Sequence, residues 1–347
     1  MQKYWLIIII SLTLLGSCNE NKPDFPYEVF QDSVLVAPSK IIDLGEHNVL
    51  NAGEMVIYKG WYFFLESRVH QNCLKAISPD FVKTIETLNV GNGPCDVSEF
   101  TRLYVNNDSL FVFDPNLKKV LSVDVVNDSI VVKPYHTFNG RSSKLVPISK
   151  CNYVSFDLLD SSFFQVADLD NHVVFKHPYP QDDVLCDMES FSLNTIYGNT
   201  YFTVSPSCDK IAFGVANTGM YGFGRIISQQ SIQFDKIINY YSIKIGRIAD
   251  ECIVPHKCNI RNILGAASSD DYVFFLHSGD EYQNLTKSIF SHRILMYTWD
   301  GNPYKILYFK ENPNMIDLHY DAERNVLYGI GCTPEGQYVE INLNGII

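Results

Sequence analysis

Three side chains with metal and redox chemistry stand close together in Cys252-x3-His256-x-Cys258. Thiolate sulfur and imidazole nitrogen both ligate zinc, but a structural zinc takes four ligands and this stretch offers three. A disulfide between Cys252 and Cys258 and a pair of free thiols are the competing readings. The nine histidines are scattered, without the His-Glu-x-x-His spacing that sets two imidazoles on one helical face. No Gly-x-Ser-x-Gly elbow raises a nucleophilic serine. Gly91-Asn92-Gly93-Pro94 lacks the further glycine and the following helix of a phosphate loop. Asp182, Asp183 and Asp187 offer oxygens to calcium, though not at EF-hand spacing, and a solvated acidic loop is the simpler account. No cofactor is predicted. Calcium or zinc would need ligands that only the fold brings together.

Recognition residues are easier to nominate than catalytic ones. Arg68, Arg141, Arg225 and Arg261 could fork to carboxylate or phosphate. Asp96, Glu99 and His256 could hydrogen-bond a polar ligand. Tyr221 and Tyr282 could stack on a sugar or a peptide group. Tyr221-Gly222-Phe223-Gly224 places aromatics on a glycine-rich backbone, as a mobile contact loop or an irregular hairpin would.

The N-terminal end carries a different chemistry. Lys3 precedes twelve largely apolar residues, Tyr4 to Leu15. A permanent span needs about 20, so the run reads as a secretion signal over residues 1–17. Leu15-Gly16-Ser17-Cys18 resembles the lipobox of bacterial lipoproteins. Cleavage before Cys18 and lipidation of its thiol would give a stable anchor once two or more acyl chains are attached. Asn19 is not the aspartate that marks inner-membrane retention in some lipoproteins, so the expected site is the outer membrane of the cell envelope.

The chain of 347 residues carries 39 acidic and 27 basic side chains, a net charge of −12. That acidity argues against nucleic acid, which needs a basic footprint. The apolar share, 46% with only 19% charged, suits a packed core and excludes a disordered chain. Eight cysteines besides Cys18 permit disulfides in an oxidising compartment, while several suit small buried apolar positions.

These residues must be held by strands. Short runs rich in Val, Ile, Tyr and Phe are cut by Asn, Asp, Gly and Pro every 8–12 residues or so, which is an all-β pattern. Six apolar runs, centred on Phe63, Phe111, Val154, Ala212, Val273 and Leu327, recur at intervals of 48, 43, 58, 61 and 54 residues. Repeats of that length predict a six-bladed β-propeller with four-stranded blades. Tight turns precede the runs, as at Lys59-Gly60, Cys208-Asp209 and Arg324-Asn325. The last unit lacks one strand, and Lys40 to Leu44 is spare. An N-terminal strand is therefore predicted to close the ring, giving a signal over 1–17, a lipidated tether over 18–37 and a propeller over 38–347.

The turn-and-strand signatures Gly91-Asn92-Gly93-Pro94, Phe111-Val112-Phe113-Asp114, Val204-Ser205-Pro206-Ser207-Cys208-Asp209-Lys210-Ile211-Ala212-Phe213 and Tyr297-Thr298-Trp299-Asp300-Gly301-Asn302-Pro303 resemble those of TolB-like six-bladed propeller lipoproteins. Cys208 departs from the pattern, which more often has aspartate or glycine there. The resemblance implies an anchored envelope propeller and no particular activity. On such a scaffold, Gly214 to Arg225, Gly246 to Asn262 and Ser278 to His292 are expected as long loops on one face, and binding concentrates on such loops. The expected function is a binding module for an envelope protein, peptide or glycan. The alternative is a metal-dependent lactonase- or lyase-like enzyme, which needs polar side chains converging in the central channel.

Overall fold

The six apolar runs become the second strand of each blade. The computed structural model describes residues 25–347, apart from positions 68, 70, 107, 158–161, 181–189, 229, 242, 249–251, 256–258, 282–290 and 333–335. Blade one comprises Ala52–Tyr58, Trp61–Glu66, Leu74–Ile77 and Thr84–Thr87. Blade two comprises Arg102–Asn106, Ser109–Asp114, Lys119–Val126 and Ser129–Thr137. Blade three comprises Ser142–Pro147, Tyr153–Asp157, Ser162–Ala167 and Val173–Pro178, and blade four Thr200–Val204, Lys210–Val215, Met220–Ile227 and Ser231–Asn239. Blade five comprises Ile260–Ser268, Tyr272–Glu281, Arg293–Thr298 and Pro303–Phe309. Blade six takes His319–Asp321, Val326–Gly331 and Gln337–Asn342 from the C-terminal end and its outer strand, Lys40–Asp43, from the N-terminal end. Lys40 pairs with Glu340 and Asp43 with Gln337, antiparallel. The ring closes as the spare strand predicts, and the architecture is an all-β six-bladed propeller.

Burial explains why the second strands dominate the sequence pattern. Blades pack face to face, so their middle strands have no wet side. Every residue of Trp61–Glu66 and of Val326–Gly331 is buried, and apart from Glu66, which is paired with Lys75, the sequence there carries no charge. Outer strands face solvent on one side and alternate, as in Ser231–Asn239. The core falls into one apolar cluster at each of the six blade interfaces. The cluster between blades six and one joins Leu44, Val49, Met55, Tyr62 and Phe64 to Tyr328, Ile330 and Tyr338. Each such side chain contributes about 1.5–3 kcal/mol by leaving water, so the seam is packed like the other interfaces.

The tight turns adopt the left-handed backbone that their residues favour. Asn127 and Asp128 have φ 50° and 55° between paired Val126 and Ser129, the two-residue hairpin that such residues specify. Cys208 turns in the same way, with φ 55°.

Two expectations about loops are corrected. Gly214 to Arg225 is not a long loop: it is the end of the second strand of blade four, a turn and most of the third strand. Tyr221-Gly222-Phe223-Gly224 is accordingly a buried strand segment rather than a contact loop. Its glycines serve packing, since a Cβ on Gly222 would lie 2.0 Å from the ring of Phe213 and one on Gly224 2.2 Å from the Gln233 carbonyl. Within Gly246 to Asn262, Ile245–Ile248 and Cys252–Pro255 pair as a small ribbon, and Ile260 already opens blade five.

The lead-in adds structure beyond ring closure. Ser33–Val36 lies parallel to Pro303–Phe309 as a fifth strand on blade five. Before it, a 3-10 turn, Pro26–Val29, leads the chain against the apolar cluster between blades four and five, where Tyr27 and Phe30 pack. Tyr27 stacks its ring under the Arg293 guanidinium at 4.3 Å, and Phe30 meets Tyr297 edge-on at 5.0 Å.

Candidate binding site at the channel mouth

The inner strand of every blade begins on one face of the ring. That face carries the connections between blades and those between second and third strands. The opposite face carries the tight hairpin turns. Near the start of each inner strand stands a polar or charged side chain: Glu54, Arg102, Lys144, Tyr201 and Arg261 in blades one to five, and Asp317 with His319 in blade six. Neighbouring inner strands lie side by side around the channel, so these groups converge at its mouth.

Hydrogen bonds fix part of this ring. Arg102 Nη1 donates to Glu54 Oε1 at 2.7 Å, and the Leu103 amide donates to Glu54 Oε2 at 2.8 Å. The Leu318 amide donates to Asp317 Oδ1 at 2.8 Å, and His319 Nε2 lies 2.7 Å from Asp317 Oδ2. Arg261 Nη1 donates to Asn217 Oδ1 at 3.3 Å, reaching the turn of blade four. Lys144 is different. Its ammonium sits 5.0 Å from the centroid of the Tyr201 ring, and no carboxylate lies within ion-pair distance of it among the described residues.

The channel is open to water yet crowded by protein, and both facts act on the charges. Side-chain exposure is 25% for Glu54 and 32% for His319. Burial pushes the Glu54 carboxyl above its ordinary value despite Arg102 and the Leu103 amide. Burial likewise lowers Lys144 despite the attraction of Glu54 and Asp317, and raises the Tyr201 phenol despite Arg261. For Asp317 burial opposes ionisation, but the charge and hydrogen bond of His319 and the nearby amides outweigh it and hold the carboxyl low. Burial alone would depress His319, whereas Asp317 and Glu54 carry it above the ordinary histidine value. Each direction follows from desolvation set against neighbouring charge.

Two guanidinium groups and the Lys144 amine therefore meet two carboxylates, and both carboxylates already accept hydrogen bonds. Such a set suits an anion and not a divalent metal, which wants unspent oxygen ligands and no adjacent guanidinium. Among the described residues a metal-capable grouping occurs elsewhere, at Asp168, Asp170 and His172 on the tight-turn side of blade three. It is largely exposed, and His172 Nδ1 is bonded to Asp168 at 2.8 Å.

Of the residues nominated from sequence, Arg261 belongs to the channel ring. Arg141 is exposed on the same face, three residues before Lys144. Asp96 and Glu99 lie in the connection from blade one to blade two. Asp96 Oδ2 accepts the Gly93 amide at 2.7 Å and closes the Gly91-Asn92-Gly93-Pro94 turn. Tyr221 is fully buried, because the strand it occupies is sandwiched between blades. Arg225 lies opposite Lys210 at the tight-turn end of blade four and forks onto Asp235 at 2.7 and 2.9 Å, so it stands away from the channel mouth. Cys18, Arg68, His256, Cys258, Tyr282, Asp182, Asp183 and Asp187 lie outside the described residues. So does the side chain of Cys252, and with it the Cys252–Cys258 pair. Of the five free cysteines among the described residues, Cys73 alone is buried, and burial pushes its thiol up to about 11; Cys95 is half-buried and Cys151, Cys208 and Cys332 are exposed, so the expectation of several buried apolar cysteines holds there for one.

A second concavity on this face, a cleft of about 460 Å³, lies between blades six and one and is lined by Gly45, Asn51, Ser67, Gly331 and Cys332 among others. It brings no charged groups together. The channel ring is the site with chemistry, and sequence reasoning found only Arg261 of it. The overlooked signal is a polar side chain near the start of each inner strand.

A six-bladed propeller with a charged channel mouth is the class these features define. No protein-family profile matches the sequence, and no curated protein matches it. Solved structures match its fold. A candidate exported protein of Bacteroides fragilis NCTC 9343 superposes with a TM-score of 0.50 at 11% identity, over 88% of this chain and 85% of that one. The Cps50 (Swd1) β-propeller domain of Myceliophteria thermophila gives 0.47 at 6% identity, over 88% and 99% of the two chains. The Pan2 WD40 domain of Neurospora crassa gives 0.48 at 9%, over 87% and 81%.

Proposed function

We propose that this chain is a lipid-anchored binding module of the cell envelope, which uses the channel face to hold a protein, peptide or glycan. The observation that carries the reading is the convergence of polar groups from all six inner strands at one mouth. These groups are bonded to one another as a recognition surface would be, and they include no nucleophile beside a base. The TolB-like signatures, the lipobox-like Cys18 and the likeness to a candidate exported protein support placement in the envelope, with the outer membrane as the proposed site.

The lead-in supports an orientation. Phe25 packs against Tyr241, and Tyr27 against His277 and Arg293. These three partners stand at the channel-face ends of their strands. Cys18 is seven residues before Phe25, and at about 3.3–3.6 Å per extended residue that segment reaches at most about 25 Å. A lipid on Cys18 would hold the channel face close to the membrane.

Photo-crosslinking in the anchored chain tests this. Adducts are expected from reactive side chains placed at Glu99 or Arg141 and not from Asn127 or Asp128, in the tight turn of blade two on the opposite face. Cys18→Ala is expected to release the protein from membranes. Turnover of a substrate from a hydrolase and lyase panel, lost on mutating channel residues, would overturn the reading in favour of an enzyme.

A further inference from the structure

We propose that the channel mouth takes a singly charged organic carboxylate, held by Lys144 and Arg261 with the Tyr201 ring beside it. This rests on the reading of the channel face as the binding surface and names its ligand class.

The argument begins with charge. On a chain of net −12, the mouth gathers Arg102, Lys144 and Arg261 against Glu54 and Asp317. With His319 neutral the balance is one positive charge, and with His319 protonated it is two. One carboxylate neutralises the first state and is still attracted in the second. A phosphate dianion would overshoot the first state and face two ionised carboxylates at close quarters. Counter-charge is also needed at a particular place. Glu54 is tied to Arg102 and Leu103, and Asp317 to Leu318 and His319. Lys144 is desolvated and has only the face of Tyr201 beneath it. A partly dehydrated ammonium without a hydrogen-bonded anion is costly, and a ligand carboxylate supplies that anion.

Geometry adds to this. Lys144 and Arg261 stand on inner strands either side of Tyr201, which they approach from both flanks. The guanidinium presents several donors in a plane and suits the two oxygens of a carboxylate. The Tyr201 ring offers a flat surface for the carbon skeleton, as sugar rings and peptide groups use. Arg141, exposed at the rim, gives an approaching anion a first charge to follow.

The test is calorimetric titration of the purified full chain in detergent. The probes are glucuronate, acetate, N-acetylneuraminate and dialanine acetylated at its amino end, with methyl glucuronate ester, the amide of the same acetylated dialanine and inorganic phosphate as controls. Saturable binding is expected for at least one carboxylate, with its ester or amide at least tenfold weaker. Lys144→Gln and Arg261→Gln should each weaken it at least tenfold while the melting temperature of the chain stays within a few degrees. A uronate bound in preference to the acetylated dialanine points to an acidic glycan, and the reverse to a peptide terminus. The proposal is overturned if no carboxylate binds, if phosphate binds more tightly than every carboxylate, or if both variants bind like the parent. Binding of a neutral glycan or peptide amide that Arg141 or Glu99 variants abolish would overturn the carboxylate assignment and leave the channel face as the binding surface. Chemical conversion of a bound carboxylate would overturn both.

Discussion

Tyr221 and Asn262 hold blades four and five together through a 2.7 Å hydrogen bond from the phenol to the amide oxygen, deep in the core. Asn262 spends its own amide hydrogens on the carbonyls of Val215 and Thr218, at 3.1 and 2.8 Å. Its backbone amide donates to Ala216 at 2.8 Å. One asparagine thus satisfies most of a turn that would otherwise bury unpaired carbonyls. Tyr221→Phe strands a single amide oxygen and should cost about 1–2 kcal/mol; Asn262→Ala strands three partners and should cost about 3 kcal/mol or more. Urea unfolding checks both, and equal midpoints for the two variants would contradict this account.

Gly222 stands opposite Phe213, whose ring lies across the backbone of its neighbour. No side chain fits there without moving the ring, which is itself buried among Phe163, Phe202 and Phe234. Gly222→Ala should destabilise the fold by about 1–3 kcal/mol through overpacking. The double change Gly222→Ala with Phe213→Leu should recover part of that loss. No recovery in thermal unfolding would place the strain elsewhere.

These two cases mark where the sequence is legible and where it is not. A run such as Trp61 to Leu65 is apolar because both faces of the strand are covered, and a local pattern reports that directly. The pairing of Lys40–Asp43 with Gln337–Asn342 was also legible, because a missing strand at one end matched a spare at the other. Tyr221 was not: a Tyr-Gly-Phe-Gly segment looks the same whether its glycines give mobility or admit a neighbouring ring, and only the opposite strand decides. The channel ring was hidden for a related reason. Glu54, Lys144 and Asp317 each look like ordinary strand-edge charges, and what unites them is closure of the ring, which brings together residues up to about 260 positions apart.

Cys208 occupies a left-handed turn position, φ 55°, with an exposed side chain. Such a backbone costs an ordinary residue about 1–2 kcal/mol. Cys208→Gly should raise stability by about 0.5–1 kcal/mol, the relief exceeding the extra unfolded-state freedom of glycine, and Cys208→Asn should gain a smaller amount. Thermal unfolding under reducing conditions measures this. A loss of stability in both variants would mean that the thiol makes a contribution that the turn geometry does not explain.

Deleting the lead-in in two steps separates its two roles. Removal of residues 25–38 takes the fifth strand from blade five but leaves the Lys40–Asp43 pairing intact, so the ring should stay closed with a modest loss of stability. Removal of residues 25–43 leaves Gln337–Asn342 as an open edge, which invites pairing with another chain. The longer deletion should associate in a concentration-dependent way and exchange the amides of residues 337–342 quickly. Slow exchange there in a monomer would show that blade six stands without its N-terminal strand.

The pH dependence of the channel ring follows from the pair Asp317 and His319. His319 is raised above its ordinary 6.5 in the folded chain. Its contribution to stability is therefore full below about 6.5 and lost as pH rises through the folded value. Asp317 is lowered from 3.8, so its contribution is present above about 3.8 and lost as pH falls through its own folded value. The pair stabilises most between those limits. His319→Gln, which keeps a donor and removes the charge, should lower the urea midpoint most between those limits, and the difference from the parent should shrink as pH rises through the folded value of His319. Asp317→Asn should remove the same slope from the other side. A difference that never shrank as pH rose from 5 across the range in which the chain stays folded would mean that His319 does not gain its proton from this pairing, and that the charge at the mouth does not change over that range.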